Sequence, residues 1–599
     1  MPQIILIQSP RLLKSFLKEV SFDNRKNYRY LNLGIEFSDT LELFKKVNIE
    51  KVEEPTIDRD QFLGEYLNLV GILNSEYQSH LWFATDLSSK NRFTSQLPML
   101  LQKFLVAIEV AQKKNYERLV ICNIPWQIIS SLKKKLESEN LSYLCLEDKF
   151  ECLRELLCAF IRRVGSVFVD MMLVMKNKLH TMFYLKAFRS KQTEYYVIKT
   201  FIYDHSFSKE GKYQDVFFGP LPDFLNGKKN VFILANVLGN YRLCLKKMKD
   251  CNSFPIFPLE SFCTFFDILC EFLRVLFYRV QINKHISFFN CDVREIVINE
   301  LKRTFYKIQP YQFLHHRCIE RLIKIVSIET FLLTYENNPW ERMCTMALRH
   351  YSPSTKIVGY QHTVIPQASA NMFPSQREEA VIPLPDRILT VGEAPKKIIE
   401  RYGHYKKGVI EPACALRYEY LSCAPTLERK HSKQILVALE GIFEVYHMVN
   451  YVLEELKDRM DYQVAIRTHP VLPFKSFAHK LTYHLDSHPH FHLSKKSLRE
   501  DIEWADMVIY WGSTVALEAI SMGRPVISFD MGLALNYDPL FECPDFKRTI
   551  SRQKSLISAI EEFYALNPER FYEEQRRAKD YMKKYFYPVS EQNLQKFLP

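Results

Sequence analysis

Apolar residues fall into two kinds of stretch along this chain. Short unbroken runs occupy 4–8, 30–33, 119–123 and 142–145, then 195–203 and 231–235. A denser series follows at 331–335, 356–360, 387–391 and 409–410, and another at 435–439, 462–467, 507–511 and 526–529. Runs of this length suit strands covered on both faces of a parallel sheet. Between them, apolar positions recur every three to four residues over 61–76, 97–113, 125–139, 261–280, 293–306, 443–457, 556–563 and 568–584, which predicts helices. Strands alternating with helices read as α/β layers. The polar, proline-bearing stretch PTLERKHSKQ (425–434) reads as a linker. It divides the chain into an N-terminal α/β region (1–150), a remainder of the first cleft-forming domain with a helical insertion (151–424), and a C-terminal domain with closing helices (425–599).

The chain is organised around 505–530, ADMVIYWGSTVALEAISMGRPVISFD, which reads strand, turn, helix, turn, strand. Gly512 permits a sharp turn, Ser513 and Thr514 are expected to cap a helix over 515–522, and Gly523 and Pro525 end it. Amides and hydroxyls at such a turn attract phosphate. Glu518, one turn in and on the face of Thr514, can accept hydrogen bonds from ribose hydroxyls. Just upstream, Arg467 and His469 alternate along a strand end and point the same way. Strand ends at Glu336, His362, Glu393 and Glu411 are expected to converge on one crevice, because ligands of open parallel sheets bind outside the carboxyl ends. Asp204-His205 ends another strand, where such a pair more often caps a turn than does chemistry. Asp58-Arg59-Asp60 spells a D-x-D, a three-residue match of little weight.

The 505–530 stretch resembles the nucleotide-binding motif of GT-B glycosyltransferases, S-[ST]-x-x-x-E-A-x-x-x-G-x-P-V-I. With Arg467-Thr468-His469-Pro470 upstream, it is similar to a subgroup containing bacterial sialyltransferases, Kdo transferases of capsule assembly and CDP-glycerol glycerophosphotransferases. The resemblance runs from about residue 331 to the end. It implies a GT-B fold, two Rossmann-like domains facing a cleft, here with an enlarged N-terminal part, and a last helix that crosses back to the first domain. It implies that Arg467, His469, Ser513, Thr514, Glu518, Glu440 and Gly512 hold the nucleotide and phosphate of a CMP- or CDP-activated donor. His362, in a Gly-Tyr-Gln-His context, resembles the His-Gly base of the glycerophosphotransferases, with Thr363 in place of the glycine. Glu336 is the rival, as base or nucleophile. Its E-N-x-P-W-E run resembles one in surface-polysaccharide proteins, which places Asn337, Trp340, Glu341 and, beside them, Gln361 on the acceptor or sugar side. No metal and no cofactor beyond the activated donor are expected.

Composition narrows the partners. The net charge of +12 is spread along the chain. It favours anionic partners such as nucleotide sugars, phospholipid headgroups or acidic glycans; no nucleic-acid module is evident. Fourteen cysteines without a C-x-x-C pair read as free, mostly buried thiols of a reducing cytosol. The segment MPQIILIQSP reads as a first strand and not a signal peptide. The apolar stretch 156–175 is broken by Arg162, Arg163 and Asp170, so a buried core helix is expected in preference to a membrane-surface one, and a span is not. The expectation is a cytoplasmic enzyme, peripheral to the inner membrane, that moves a sugar such as Kdo from a CMP donor to a glycan or lipid-linked acceptor. The alternatives are a CDP-glycerol or CDP-ribitol polyol-phosphate transferase, a UDP-sugar transferase or epimerase, and a non-catalytic GT-B scaffold of a polysaccharide export complex.

Overall fold

The computed structural model describes residues 3–7, 28–33, 49–113, 116–122, 124–146, 149–182, 190–208, 211–304, 308–551 and 555–599. The expected element ends at Gln8, Asn123 and Tyr306 lie outside them. The chain forms two compact units. The first comprises Met1–Met171, Glu271–Pro310 and Leu533–Leu535; the second comprises Met172–Cys270, Tyr311–Gly532 and Asn536–Pro599.

The first unit is built on a parallel sheet of β1 (Gln3–Ile7), β2 (Tyr28–Asn32), β3 (Glu50–Lys51), β4 (Leu119–Cys122) and β5 (Tyr143–Leu146), in the order β3-β2-β1-β4-β5. Ile4 to Ile7 are fully buried, as an apolar run in a sheet covered on both faces should be. Asp58 caps the helix Arg59–Glu76, its carboxylate accepting the Gln61 amide at 2.9 Å, so this D-x-D aspartate is a helix cap. The expectation of a core helix around 156–175 is corrected. These residues belong to the 33-residue helix Lys149–Thr181, in which Val167, Val174 and Thr181 are buried while Leu157, Phe160, Ile161 and Phe168 face solvent. Apolar residues cover more of this helix's circumference than one packing face can use. One of the interrupting charges points inward, Arg163 donating to the Ile308 carbonyl at 2.7 Å.

The second unit contains two parallel sheets. The first joins β6 (Ser190–Ile202), β7 (Val231–Val237), β8 (Ile256–Pro258), β11 (Val326–Thr334), β12 (Lys356–Tyr360), β13 (Arg387–Thr390) and β14 (Ile410–Pro412), in the order β14-β13-β12-β11-β6-β7-β8. (β9, Ser287–Phe288, and β10, Cys291–Asp292, are a small antiparallel hairpin of the first unit.) The second sheet joins β15 (Gln434–Ala438), β16 (Gln463–Arg467), β17 (Phe491–Leu493), β18 (Met507–Tyr510), β19 (Val526–Phe529) and β20 (Lys547–Ile550), in the order β17-β16-β15-β18-β19-β20. Counted within itself, this is the 3-2-1-4-5-6 order of a Rossmann fold, and the first sheet follows the same rule with one strand more. In each, the order reverses between the first and fourth strands, so the crevice of one lies at the carboxyl ends of β6 and β11 and that of the other at the ends of β15 and β18.

The architecture is that of GT-B, and the chain's end closes it. After the helix Pro568–Tyr585, the Tyr587 amide donates to Val391 and its carbonyl accepts from Ala415, at 2.8 and 2.9 Å. Tyr196 of β6 donates to the Phe597 carbonyl at 2.6 Å. Gly392 makes this return possible, since a Cβ there would stand 2.2 Å from the Tyr585 carbonyl oxygen. All fourteen cysteines are free, and eight of them are buried; Cys158 and Cys423 are exposed. Among the described residues no helix is long and apolar enough to cross a membrane.

Candidate functional site

In the C-terminal half, the expected strand–turn–helix is present as β18, Gly512 at φ 74° and the helix Val515–Ser521. The turn is tighter than the expected capped helix. Neither hydroxyl caps the helix in the usual way; the Ser513 hydroxyl takes the Val515 amide at 3.4 Å, and the Ala516 and Leu517 amides bond back to the Ser513 and Thr514 carbonyls. These amides are therefore engaged within the turn and are not free helix-end donors. Side chains from the neighbouring strands complete the place. A Cβ on Gly441, just after β15, would touch His469 Nδ1 at 2.9 Å, and one on Gly512 would lie 3.8 Å from the Glu440 side chain. His469, Gly441, Glu440 and Gly512 thus line the reversal point of this sheet. Burial, and after it the Arg417 charge, lowers the His469 pKa.

Arg467 is engaged otherwise. Its Nη1 pairs with the buried Asp501 carboxylate at 2.7 Å and donates to the Lys496 carbonyl at 2.8 Å. It braces β16 against the next helix and contributes to the site as a nearby charge felt by Glu518. Glu518 is buried, which raises its pKa, and accepts a hydrogen bond from the Tyr420 hydroxyl.

In the first half, the two rivals for the chemical role stand together. Glu336 follows β11, His362 follows β12, and His362 Nε2 lies 3.8 Å from Glu336 Oε1. His362 is buried under the edge of the Phe217 ring. Burial lowers its pKa to about 4; the Glu336 carboxylate works against this and the Arg417 charge with it. At neutral pH the imidazole is therefore uncharged and open to a proton. Glu336 is held by Asn338 Nδ2 at 3.1 Å. Glu341, wholly buried, accepts the amides of Glu336 and Asn338 at 2.9 and 2.8 Å, closing the turn that presents Glu336.

The other expected acceptor-side residues are built into the domain. Asn337, at φ 57°, donates to the Asn371 carbonyl and accepts from Arg342. Gln361 accepts the Val391 amide and donates to the Thr363 carbonyl. Trp340 is buried between Phe201, His315 and the Lys199 ammonium, which lies 5.1 Å from its ring. Glu411 does not join the crevice: it pairs with Arg387 at 3.1 Å, and Arg387 also donates to the Lys596 and Leu598 carbonyls, so this edge anchors the C-terminus. Glu393 sits in the first turn of the helix Glu393–Tyr402. Asp204 accepts the Asn240 amide at 2.7 Å, a turn cap.

The residues that sequence reasoning passed over are Arg417, Tyr418 and Tyr420. They follow β14, where the chain leaves the first half for the second. Arg417 is exposed, and among the described residues its guanidinium has no ion pair or hydrogen bond, only the rings of Phe217 and Tyr418 at 5.8 Å. Its charge is nevertheless felt by His362 in one half and by His469 and Glu518 in the other. Tyr418 is buried beside it, its hydroxyl pKa pushed up by burial and by the carboxylates of both Glu518 and Glu336. The crossing segment thus touches both halves: Tyr420 bonds Glu518 in one, and Arg417 lies 5.8 Å from the Phe217 ring, which packs against His362 in the other. Among the described residues no cluster of three or more His, Cys, Asp or Glu side chains is arranged to hold a metal ion.

A scan against protein-family models finds no match, and a search of curated proteins finds none. Among solved structures, a UDP-N-acetylglucosamine 2-epimerase is 12% identical, at a TM-score of 0.37 over 65% of this chain and 95% of its own. A glycosyltransferase from Rickettsia africae is 12% identical, at 0.36 over 67% and 96%. HepE of Anabaena, solved with UDP and glucose, is 9% identical, at 0.35 over 65% and 95%.

Proposed function

We propose that this protein is a GT-B glycosyltransferase that draws a sugar from a nucleotide-activated donor. The observation that carries the reading is the meeting, around Arg417, of a neutral imidazole paired with a carboxylate (His362, Glu336) and an imidazole set among strand ends (His469 beside Glu440, Gly441 and Gly512). In the proposed reaction an acceptor hydroxyl attacks the anomeric carbon. The bond from that carbon to the phosphate oxygen breaks, and the nucleotide leaves with the electron pair. The hydroxyl proton passes to the His362–Glu336 pair: the imidazole is uncharged and able to accept it, and the Glu336 carboxylate at 3.8 Å offsets part of the basicity that burial removes. Arg417 and His469, with the Ser513 and Thr514 hydroxyls, take up the charge growing on the phosphate, the term that usually dominates such transfers. Glu518 receives the ribose by exchanging the Tyr420 hydroxyl for those of the sugar.

The donor we propose is a CMP-sugar, of which an acid such as Kdo is the leading case, and the acceptor a surface glycan or its lipid-linked precursor; no metal or further cofactor is assigned. The R-x-H-P and S-T-x-x-x-E residues support the cytidine assignment. Melting curves with CMP, CDP, UDP and their sugars test it: a rise with CMP compounds above the others is expected, and no shift with any nucleotide would overturn the reading. The mass of the product separates sugar transfer from polyol-phosphate transfer. One rival class has an observation in its favour. The Arg467–Asp501 and Tyr420–Glu518 pairs already occupy two groups a donor would use, as in a scaffold that has kept the fold without the chemistry. Donor turnover decides between them.

A further inference from the structure

We infer that the helix Lys149–Thr181 is an interfacial element that lays its outer stripe on an anionic phospholipid bilayer. The stripe is continuous. Leu153, Leu157, Phe160, Ile161, Val164 and Phe168 recur at helical spacing, and all six are exposed, Leu153 at 65% and Phe168 at 58%. The residues that anchor the helix, Val167, Val174 and Thr181, lie on an adjoining face. A single exposed leucine needs no explanation, but a row of six along one helix marks a surface made to be covered. At 1.5 Å per residue the helix is about 50 Å long, far more than a span requires, and Arg162, Arg163 and Asp170 interrupt its middle. It therefore suits a position in the plane of an interface and not across it.

Charge selects the occupant. The exposed cations Arg154, Arg162 and Lys176 follow one another along the side of the stripe turned away from the packing face, and Glu155 is turned to the Trp126 indole at 2.9 Å. Basic groups beside a buried apolar stripe fit headgroups of negative charge, each adding to the attraction. A second copy of the chain would instead bring the same three cations, and another net charge of +12, against them. This inference is independent of the chemistry proposed for the second unit.

Flotation of the full-length protein with vesicles of phosphatidylcholine, with and without phosphatidylglycerol, tests it. The protein is expected to float with the phosphatidylglycerol vesicles and to be partly released by salt. Leu157→Asp with Phe168→Asp should lower the partition coefficient by about a hundredfold, two apolar side chains being withdrawn from the lipid. Because that pair could disturb folding, Ile161→Trp provides a second reading: its added emission should shift to the blue on vesicles and be quenched by brominated lipid. Failure to float, flotation unaffected by the two aspartates, or emission indifferent to brominated lipid would each overturn the inference. So would a dimer in sedimentation that the aspartates dissociate while vesicles bind nothing.

Discussion

Replacing Arg417 by alanine probes a charge felt in both halves of the site. The guanidinium has no ion pair or hydrogen bond among the described residues, so its loss should leave the melting temperature within about a degree, surface changes of this kind being worth under ~0.5 kcal/mol. A donor phosphate would give it the partner it lacks. A hydrogen bond to a charged group contributes roughly 1.5–3 kcal/mol, so donor kcat/KM should fall by between about tenfold and a hundredfold. Arg417→Lys, which keeps the charge and loses the planar fork, should recover part of that loss. The histidines provide a second signal. Arg417 lowers the pKa of both His362 and His469, so the alanine variant should titrate both imidazoles at higher pH than the parent. Steady-state kinetics with a CMP-sugar, run beside NMR titration of the imidazole protons, make the measurement. A variant within twofold of the parent in kcat/KM, with both titrations unmoved, would refute the placement of Arg417 between the crevices.

Of His362→Ala and Glu336→Gln, at least one should abolish transfer while nucleotide binding persists in calorimetry; two active variants would remove both from the mechanism. His469→Ala should raise donor KM and lower kcat, and unchanged turnover would mean that the imidazole does not meet the phosphate. Gly392→Ala should cost roughly 3 kcal/mol in urea denaturation, since the new methyl meets main-chain atoms of Tyr585 and Lys584 that cannot move without the whole helix end; a midpoint like the parent's would show that the closing segment docks loosely. Stability should also fall with pH. The unfolded chain protonates its histidines near pH 6.5, whereas burial holds His362 to about 4 and His315 to about 3. Between these values the unfolded state binds more protons, so stability present above pH 6.5 is lost as the pH drops towards 4. Urea midpoints at pH 7 and 5 check this, equal values contradicting it.

Much of the fold is legible in the chain because parallel strands buried on both faces leave unbroken apolar runs. The runs at 356–360 and 526–529 mark β12 and β19 to the residue. The edge strands Phe491–Leu493 and Lys547–Ile550 are not visible this way; they are short, and the second is mostly polar, since an edge need not be apolar. The helix Lys149–Thr181 misleads for a related reason. Hydrophobicity says that a surface is to be covered, not by what. At the site, each half shows its own motif, Glu336 and His362 in one and His469 to Glu518 in the other. A sequence does not say which neighbour a strand-end charge will take, so Glu411 and Arg467 look as eligible as His362 until Arg387 and Asp501 are seen beside them. Arg417 was hidden because its segment, ALRYEYL, carries no motif, and only the crossing between two sheets gives that position meaning.

On the function proposed above, an activated donor's phosphate is received at the junction of the two Rossmann-like halves. A crystal structure of the protein with CMP would show whether it is. Nucleotide is expected at the carboxyl ends of β15 and β18, its phosphate within hydrogen-bond reach of His469 and Arg417. Nucleotide held by the five-stranded first unit, or no nucleotide at saturating concentration, would contradict it.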